Sequence, residues 1–103
     1  MAQSPQRSVR IKVSKPAQKQ WNKILEFYSK RNQSMLYSLK LNERLHELLN
    51  LLCMENSTPG ELTNKKGIRR ISFEDHFAVF FRIKRGYIEV VSIVDARRNI
   101  RLN

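Results

Sequence analysis

The alternation of apolar and polar positions is cleanest between His76 and Arg98, which reads HFAVFFRIKRGYIEVVSIVDARR. Phe77, Val79, Phe81 and Ile83 alternate with Ala78, Phe80, Arg82 and Lys84, the period of two that gives a strand two unlike faces. Gly86 supplies the positive φ of a tight turn, so a loop of Arg85 and Gly86 sets Lys84 opposite Tyr87. Carried along both strands, that register places Val90 against Phe81, Ile88 against Ile83 and Val94 against Phe77, an apolar face interrupted only by Ser92. On the other face Arg82 opposes Glu89 as a cross-strand ion pair.

Upstream, Val9, Ile11 and Val13 alternate with Arg10 and Lys12, a short strand with one apolar and one basic face. Ser14-Lys15-Pro16 is a helix start, with Ser14 as N-cap and proline in the first turn. Ala17, Trp21, Ile24, Leu25 and Tyr28 then form one stripe of an amphipathic helix that ends in the polar break from Tyr28 to Gln33. Ser34 caps a second helix running to about Met54, with Leu41, Leu45, Leu48, Leu49 and Leu52 as its apolar stripe. The leucine run is too short for a coiled-coil seam, so the two helices are expected as a hairpin packed on a sheet. Glu55 to Gly67 reads as the only real loop, marked by Pro59-Gly60 and Gly67. Ile71 and Phe73, alternating with Arg70 and Ser72, make a strand leading into the terminal hairpin.

The order is strand, helix, helix, strand, strand, strand. It predicts an α+β fold, a small and mostly antiparallel sheet with both helices on one face. Residues 1–7 are expected to be disordered and 8–103 to form a single domain. The opposite sheet face then collects Arg10, Lys12, Arg70, Arg82 and Lys84 around an apolar patch of Ala78, Phe80, Val91 and Ile93, and such a combination is a binding surface.

Charge sharpens that picture. The chain of 103 residues carries a formal net charge of +11. Residues 1–31 hold eight Lys/Arg against Glu26, residues 32–64 hold Lys40 and Arg44 against four glutamates, and residues 65–103 hold ten Lys/Arg against four acids. Both ends are strongly basic and the middle is slightly acidic, a field that favours an anionic partner, either nucleic acid or an acidic protein. One cysteine, Cys53, excludes an intramolecular disulfide framework and fits a reducing compartment. MAQSPQRSVR lacks the apolar block of a signal peptide, and no apolar run approaches the ~18–20 residues of a membrane span, so a cytoplasmic protein with no membrane partner is expected.

Little catalytic chemistry is on offer. The three glycines are far apart, which excludes a glycine-rich phosphate loop. His46 and Cys53 share a helix face without further ligands, so no metal and no cofactor are expected. Metal-independent ribonuclease chemistry would need a base for the 2′-hydroxyl, an acid for the leaving oxygen and cations for the phosphate. Only His76, Asp75, Glu74 and the arginines could supply them.

These features together resemble the RelE/ParE superfamily of bacterial toxins from type II toxin–antitoxin modules. The resemblance rests on the first strand, the helical hairpin and the segment GIRRISFEDHFAVFFRIKRGYIEVVSIVDARRN. In that superfamily the corresponding strand commonly reads H/Y-x-x-x-F-Y-R-[IV], and the last strand ends in a polar residue followed by Arg-Arg or Arg-Gln. Here these appear as His76, Phe80-Phe81-Arg82-Ile83, and Asp95-Ala96-Arg97-Arg98. The resemblance implies a growth-inhibiting toxin of the plasmid-stabilisation kind, neutralised by a cognate acidic antitoxin. It leaves two activities: a ParE-like toxin that poisons DNA gyrase without being an enzyme, or a RelE-like endoribonuclease that cuts mRNA on the ribosome. RelE-like nucleases usually carry an arginine early on the third strand and a tyrosine or histidine near the C-terminus. Here Phe77 and Ala78 stand at the first place and Arg101-Leu102-Asn103 at the second, which favours the ParE branch. The nuclease alternative would rest on His76, Arg70 and Arg97. The surface expected to meet antitoxin or target comprises Arg10, Lys12, Arg70, Ala78, Phe80, Arg82, Lys84, Val91, Ile93, Arg97 and Arg98. A third reading, a non-toxic nucleic-acid-binding domain, follows from the charge alone.

Overall fold

The computed structural model describes residues 10–54 and 60–99. The expectations for Val9, for residues 1–7, for Pro59 and for the last four residues lie outside the described residues. The elements are β1 (Arg10–Val13), α1 (Lys15–Asn32), α2 (Leu36–Met54), β2 (Glu61–Leu62), β3 (Arg69–Phe73), β4 (Phe77–Lys84), β5 (Tyr87–Asp95) and α3 (Ala96–Asn99). The strands form a five-stranded sheet in the order β1-β5-β4-β3-β2. Only β1 against β5 is parallel, and the helical hairpin between the first strand and the rest of the sheet is what allows that pairing. The α+β architecture matches the expectation, with one strand more.

Ser14 caps α1 as expected: its Oγ accepts from the Ala17 amide at 3.2 Å. The helix runs through the anticipated polar break to Asn32 and stops where Gln33 turns left-handed at φ 53°. Ser34 Oγ then accepts from the Leu36 amide at 3.1 Å and opens α2. Ala17, Trp21, Ile24 and Tyr28 of α1 and Leu41, Leu45, Leu49 and Leu52 of α2 are buried together with Phe77, Val79, Phe81, Ile88, Val90 and Ile93 of the sheet. Both helices therefore cover one sheet face, and among the described residues neither covers the other, the open face. The expected loop from Glu55 to Gly67 contains β2, whose Glu61 and Leu62 pair with Arg70 and Arg69. Gly60 stands just before it with φ +77°, and an added Cβ would come within 2.7 Å of the Arg70 carbonyl oxygen. Two residues alternate too briefly to be read as a strand, which is why sequence pattern missed it.

The terminal hairpin keeps its predicted register near the turn. Lys84 pairs with Tyr87, Ile83 with Ile88, Arg82 with Glu89 and Phe81 with Val90. Beyond that point the expectation fails, because Phe80 pairs with Ser92 and Val91 is an extra residue, a β-bulge. Val94 consequently faces Ala78, and Phe77 faces Asp95. The slip turns Ile93 from the open face into the core, where it is 1% exposed, and turns Asp95 inward as well. The bulge is held from α1: Gln20 Oε1 accepts from the Ile93 amide at 2.8 Å and from the Ser92 hydroxyl at 3.1 Å. Gln20 thus satisfies the Ile93 amide just beyond the bulge, and Ser14 Oγ donates to the Val91 carbonyl at 3.4 Å.

Replacing Gln20 with leucine should lower stability by about 1–2 kcal/mol, since the Ile93 amide would be left unpaired in a packed interface. Gln18→Leu, which removes only an exposed hydrogen bond to Asn22, should change it by less than ~0.5 kcal/mol. Urea unfolding of the two variants beside the parent chain checks this.

Candidate functional site

Two places collect the residues singled out by the sequence. The first is the open face of the sheet. Register aligns Lys12, Glu89 and Arg82 in one row across β1, β5 and β4, and Arg70, Phe80 and Ser92 in another across β3, β4 and β5. Arg82 Nε stands 3.8 Å from Glu89 Oε1, too long for a hydrogen bond, and this buried Nε has no hydrogen-bond partner. Lys12 Nζ lies over the Tyr87 ring at 4.6 Å from its centroid, a cation–π contact that keeps the ammonium on this face. Between the β2–β3 connection and the strands lies a groove of about 590 Å³. Phe80, Val91 and Ile68 form its apolar floor, and Lys65, Lys66 and Arg82 its charged rim.

Most of the expected surface is assembled here. Arg10, Lys12 and Lys84 are exposed, and Arg70, Phe80, Arg82 and Val91 are half-exposed. Ala78 and Ile93 are corrections. Ala78 points to the open face but is only 1% exposed, and Ile93 has been turned into the core by the bulge. The apolar floor is therefore Phe80 and Val91, with Ile68 added from just before β3, a residue the sequence reading did not single out.

The second place is the far end of the hairpin, where Arg97 lies. Tyr28 Oη donates to Asp95 Oδ2 at 2.7 Å, and the Arg97 amide donates to Asp95 Oδ1 at 3.1 Å. One Arg97 guanidinium nitrogen reaches Tyr28 Oη at 3.4 Å and His76 Nε2 at 3.0 Å. A guanidinium can only donate, so a hydrogen bond in this contact has His76 Nε2 as its acceptor. His76 belongs to the turn before β4, where Glu74 and Asp75 both adopt positive φ, 50° and 67°. Arg44 holds that turn to α2 through Glu74 at 2.7 Å. Burial, reinforced by the hydrogen bond to Asp95, raises the Tyr28 hydroxyl above the ordinary tyrosine value of 10.0. The hydrogen bond to Tyr28 raises the Arg97 guanidinium.

Of the three nuclease candidates, the structure brings together His76 and Arg97 and leaves Arg70 on the open face, where its Nη1 donates to Ser72 Oγ at 3.1 Å. Arg98 falls in α3, and its side chain lies outside the described residues. Tyr28 and Asp95 were missed as partners of Arg97. The signal was present, since Asp95 closes a mostly apolar strand, but without the bulge it would point to the open face. Among the described residues no cluster of three or more His, Cys, Asp and Glu side chains could hold a metal ion, and no helix is long and apolar enough to cross a membrane.

A mostly antiparallel sheet covered by a helical hairpin on one side and carrying basic residues on the other defines a small α+β protein. The chain belongs to the family described as ParE toxin of type II toxin-antitoxin system, parDE, which matches residues 11–100. In architecture it is similar to a solved chain of the chromosomal ParDE toxin–antitoxin system from P. aeruginosa, with a TM-score of 0.75 and 21% sequence identity over 86% of this chain and 97% of that one. Comparison with curated protein sequences finds no match.

The Tyr28–Asp95 pair has a pH signature. Because the folded-state value of Tyr28 is raised, its contribution to stability is fully present below the unfolded tyrosine value near 10 and is lost as pH rises beyond it. Tyr28→Phe should remove that alkaline slope. It should also cost about 1.5–3 kcal/mol at neutral pH, since the buried Asp95 carboxylate loses its donor. Urea unfolding midpoints followed from pH 7 to pH 11 in both proteins decide it.

Proposed function

We propose that this ParE-family toxin arrests growth in the cytoplasm by binding a large target, DNA gyrase, without cutting RNA, and that an acidic antitoxin segment neutralises it by lying over the open sheet face. The observation that carries the first half is the division of the cationic residues. Arg97 and His76 are tied to each other and to the Tyr28–Asp95 pair, while Arg70 lies on the open face beside Phe80. A phosphodiester cleaved by general acid–base catalysis needs its proton donor, its acceptor and its cations around one phosphate. Division between two places suits binding better than cutting.

The groove supports the second half. A partner segment that sets an apolar side chain on Phe80 and Val91 would bring flanking carboxylates to Lys65, Lys66 and Arg82. Arg82 Nε, buried and without a hydrogen bond, would gain the acceptor that Glu89 at 3.8 Å does not provide. Arg10, Lys12 and Lys84 extend the positive surface toward the hairpin turn.

Purified protein added to a gyrase supercoiling assay and to a translating ribosome assay separates the activities. Supercoiling should stop while ribosome-bound mRNA stays intact; cleaved mRNA with gyrase untouched reverses the reading. For neutralisation, Phe80→Glu should weaken antitoxin binding by about tenfold or more, and Lys23→Glu, on the exposed side of α1, by less than about twofold. Calorimetric titration of each variant checks it, and equal losses would place the antitoxin elsewhere.

A further inference from the structure

Helix α2 is apolar on both sides. Leu41, Leu45, Leu49 and Leu52 bury one face. The opposite face carries Leu36, Lys40, Glu43, Glu47, Leu51 and Met54, which recur at helical spacing along its whole length. Leu36 is 71% exposed, Leu51 58% and Met54 56%, and Leu39 beside them is 57% exposed. Of the eight large hydrophobic side chains exposed among the described residues, six fall between Met35 and Met54. Apolar residues on both faces of a helix imply a second contact beyond the domain's own core.

We propose that this face pairs with the same face of a second copy of the chain, as a reversible antiparallel dimer about a two-fold axis. Charge selects the occupant. Outside this region the molecule is strongly basic, and two chains of net charge +11 repel one another across any surface dominated by that charge. Within α2, Lys40 and Arg44 balance Glu43 and Glu47, so this is the surface on which two copies can meet without that penalty.

The pattern selects the orientation. With the axis between Glu43 and Arg44, Leu36 of one copy meets Leu51 of the other and Lys40 meets Glu47, each contact made twice by symmetry. A parallel arrangement would set Lys40 against Lys40 and Glu47 against Glu47. Nineteen residues make a contact about 28 Å long. One helix face per partner is at the small end of specific interfaces, which makes the association reversible and concentration-dependent. The open sheet face lies on the other side of the sheet from both helices and stays free.

Sedimentation velocity of the full chain over roughly 1–200 µM tests this. The weight-average mass should climb from 12.2 kDa toward twice that value. Leu51→Glu, Lys40→Glu and Glu47→Lys should each hold the chain at monomer mass with an unchanged helical circular-dichroism spectrum, because all three positions are exposed. The double exchange K40E/E47K should restore the dimer, since it reverses both members of the pair across the axis. A chain that is monomeric at every concentration leaves the face to some other partner and overturns the proposal. So does self-association that survives Leu51→Glu, or that the double exchange fails to recover.

Discussion

The extra residue at Val91, and the glutamine that holds it, decide what the two faces of this sheet carry. Side chains alternate along a strand, so one inserted residue exchanges the faces of everything beyond it. Here the exchange moves Ile93 into the core and brings Asp95 to the same side as Phe77. Gln20 makes it tolerable by accepting from the Ile93 amide and the Ser92 hydroxyl. The bulge is thus tied to helix α1, and the geometry of the last strand depends on a residue more than seventy positions away. Without it, Asp95 would face solvent on the open sheet and Tyr28 would have no carboxylate to meet.

Several features follow from that slip. Arg97 lies in α3, two residues after Asp95, so inverting Asp95 carries the Arg97 guanidinium to Tyr28 and His76 and away from Arg70. The basic residues are thereby divided between an open groove and a hydrogen-bonded corner. The groove gathers cations around Phe80 and Val91 and offers an arginine nitrogen with no hydrogen-bond partner. The corner spends its arginine on internal hydrogen bonds.

Charge and hydrophobicity are also divided. The sheet's open face is basic and only partly apolar, whereas the outer side of α2 is apolar and charge-balanced. These two surfaces lie on opposite sides of the core, since both helices cover the sheet face that Phe77, Val79, Phe81 and Ile93 occupy. A positive field draws anionic partners to one side, and the same field disfavours self-contact everywhere except across α2. One small domain can therefore present two kinds of interface without either obstructing the other.

Local pattern determined a good deal of this molecule. The cap at Ser14, both helices with their buried stripes, the Arg85-Gly86 turn and the register from Lys84–Tyr87 to Phe81–Val90 all follow from nearest-neighbour chemistry. So do the superfamily's motifs, which lie within the one stretch from His76 to Arg98. Tertiary structure alone decided the rest. The bulge at Val91 is accompanied by a hydrogen bond from the Ile93 amide to Gln20, and a contact across the fold leaves no trace in strand periodicity. Strand β2 exists because β3 offers it an edge, not because two residues favour extension. Tyr28, His76, Asp95 and Arg97 are distant in sequence and meet only once the register has slipped. Periodicity reports which face a residue takes while the count of two holds, and the position at which that count breaks is set by packing.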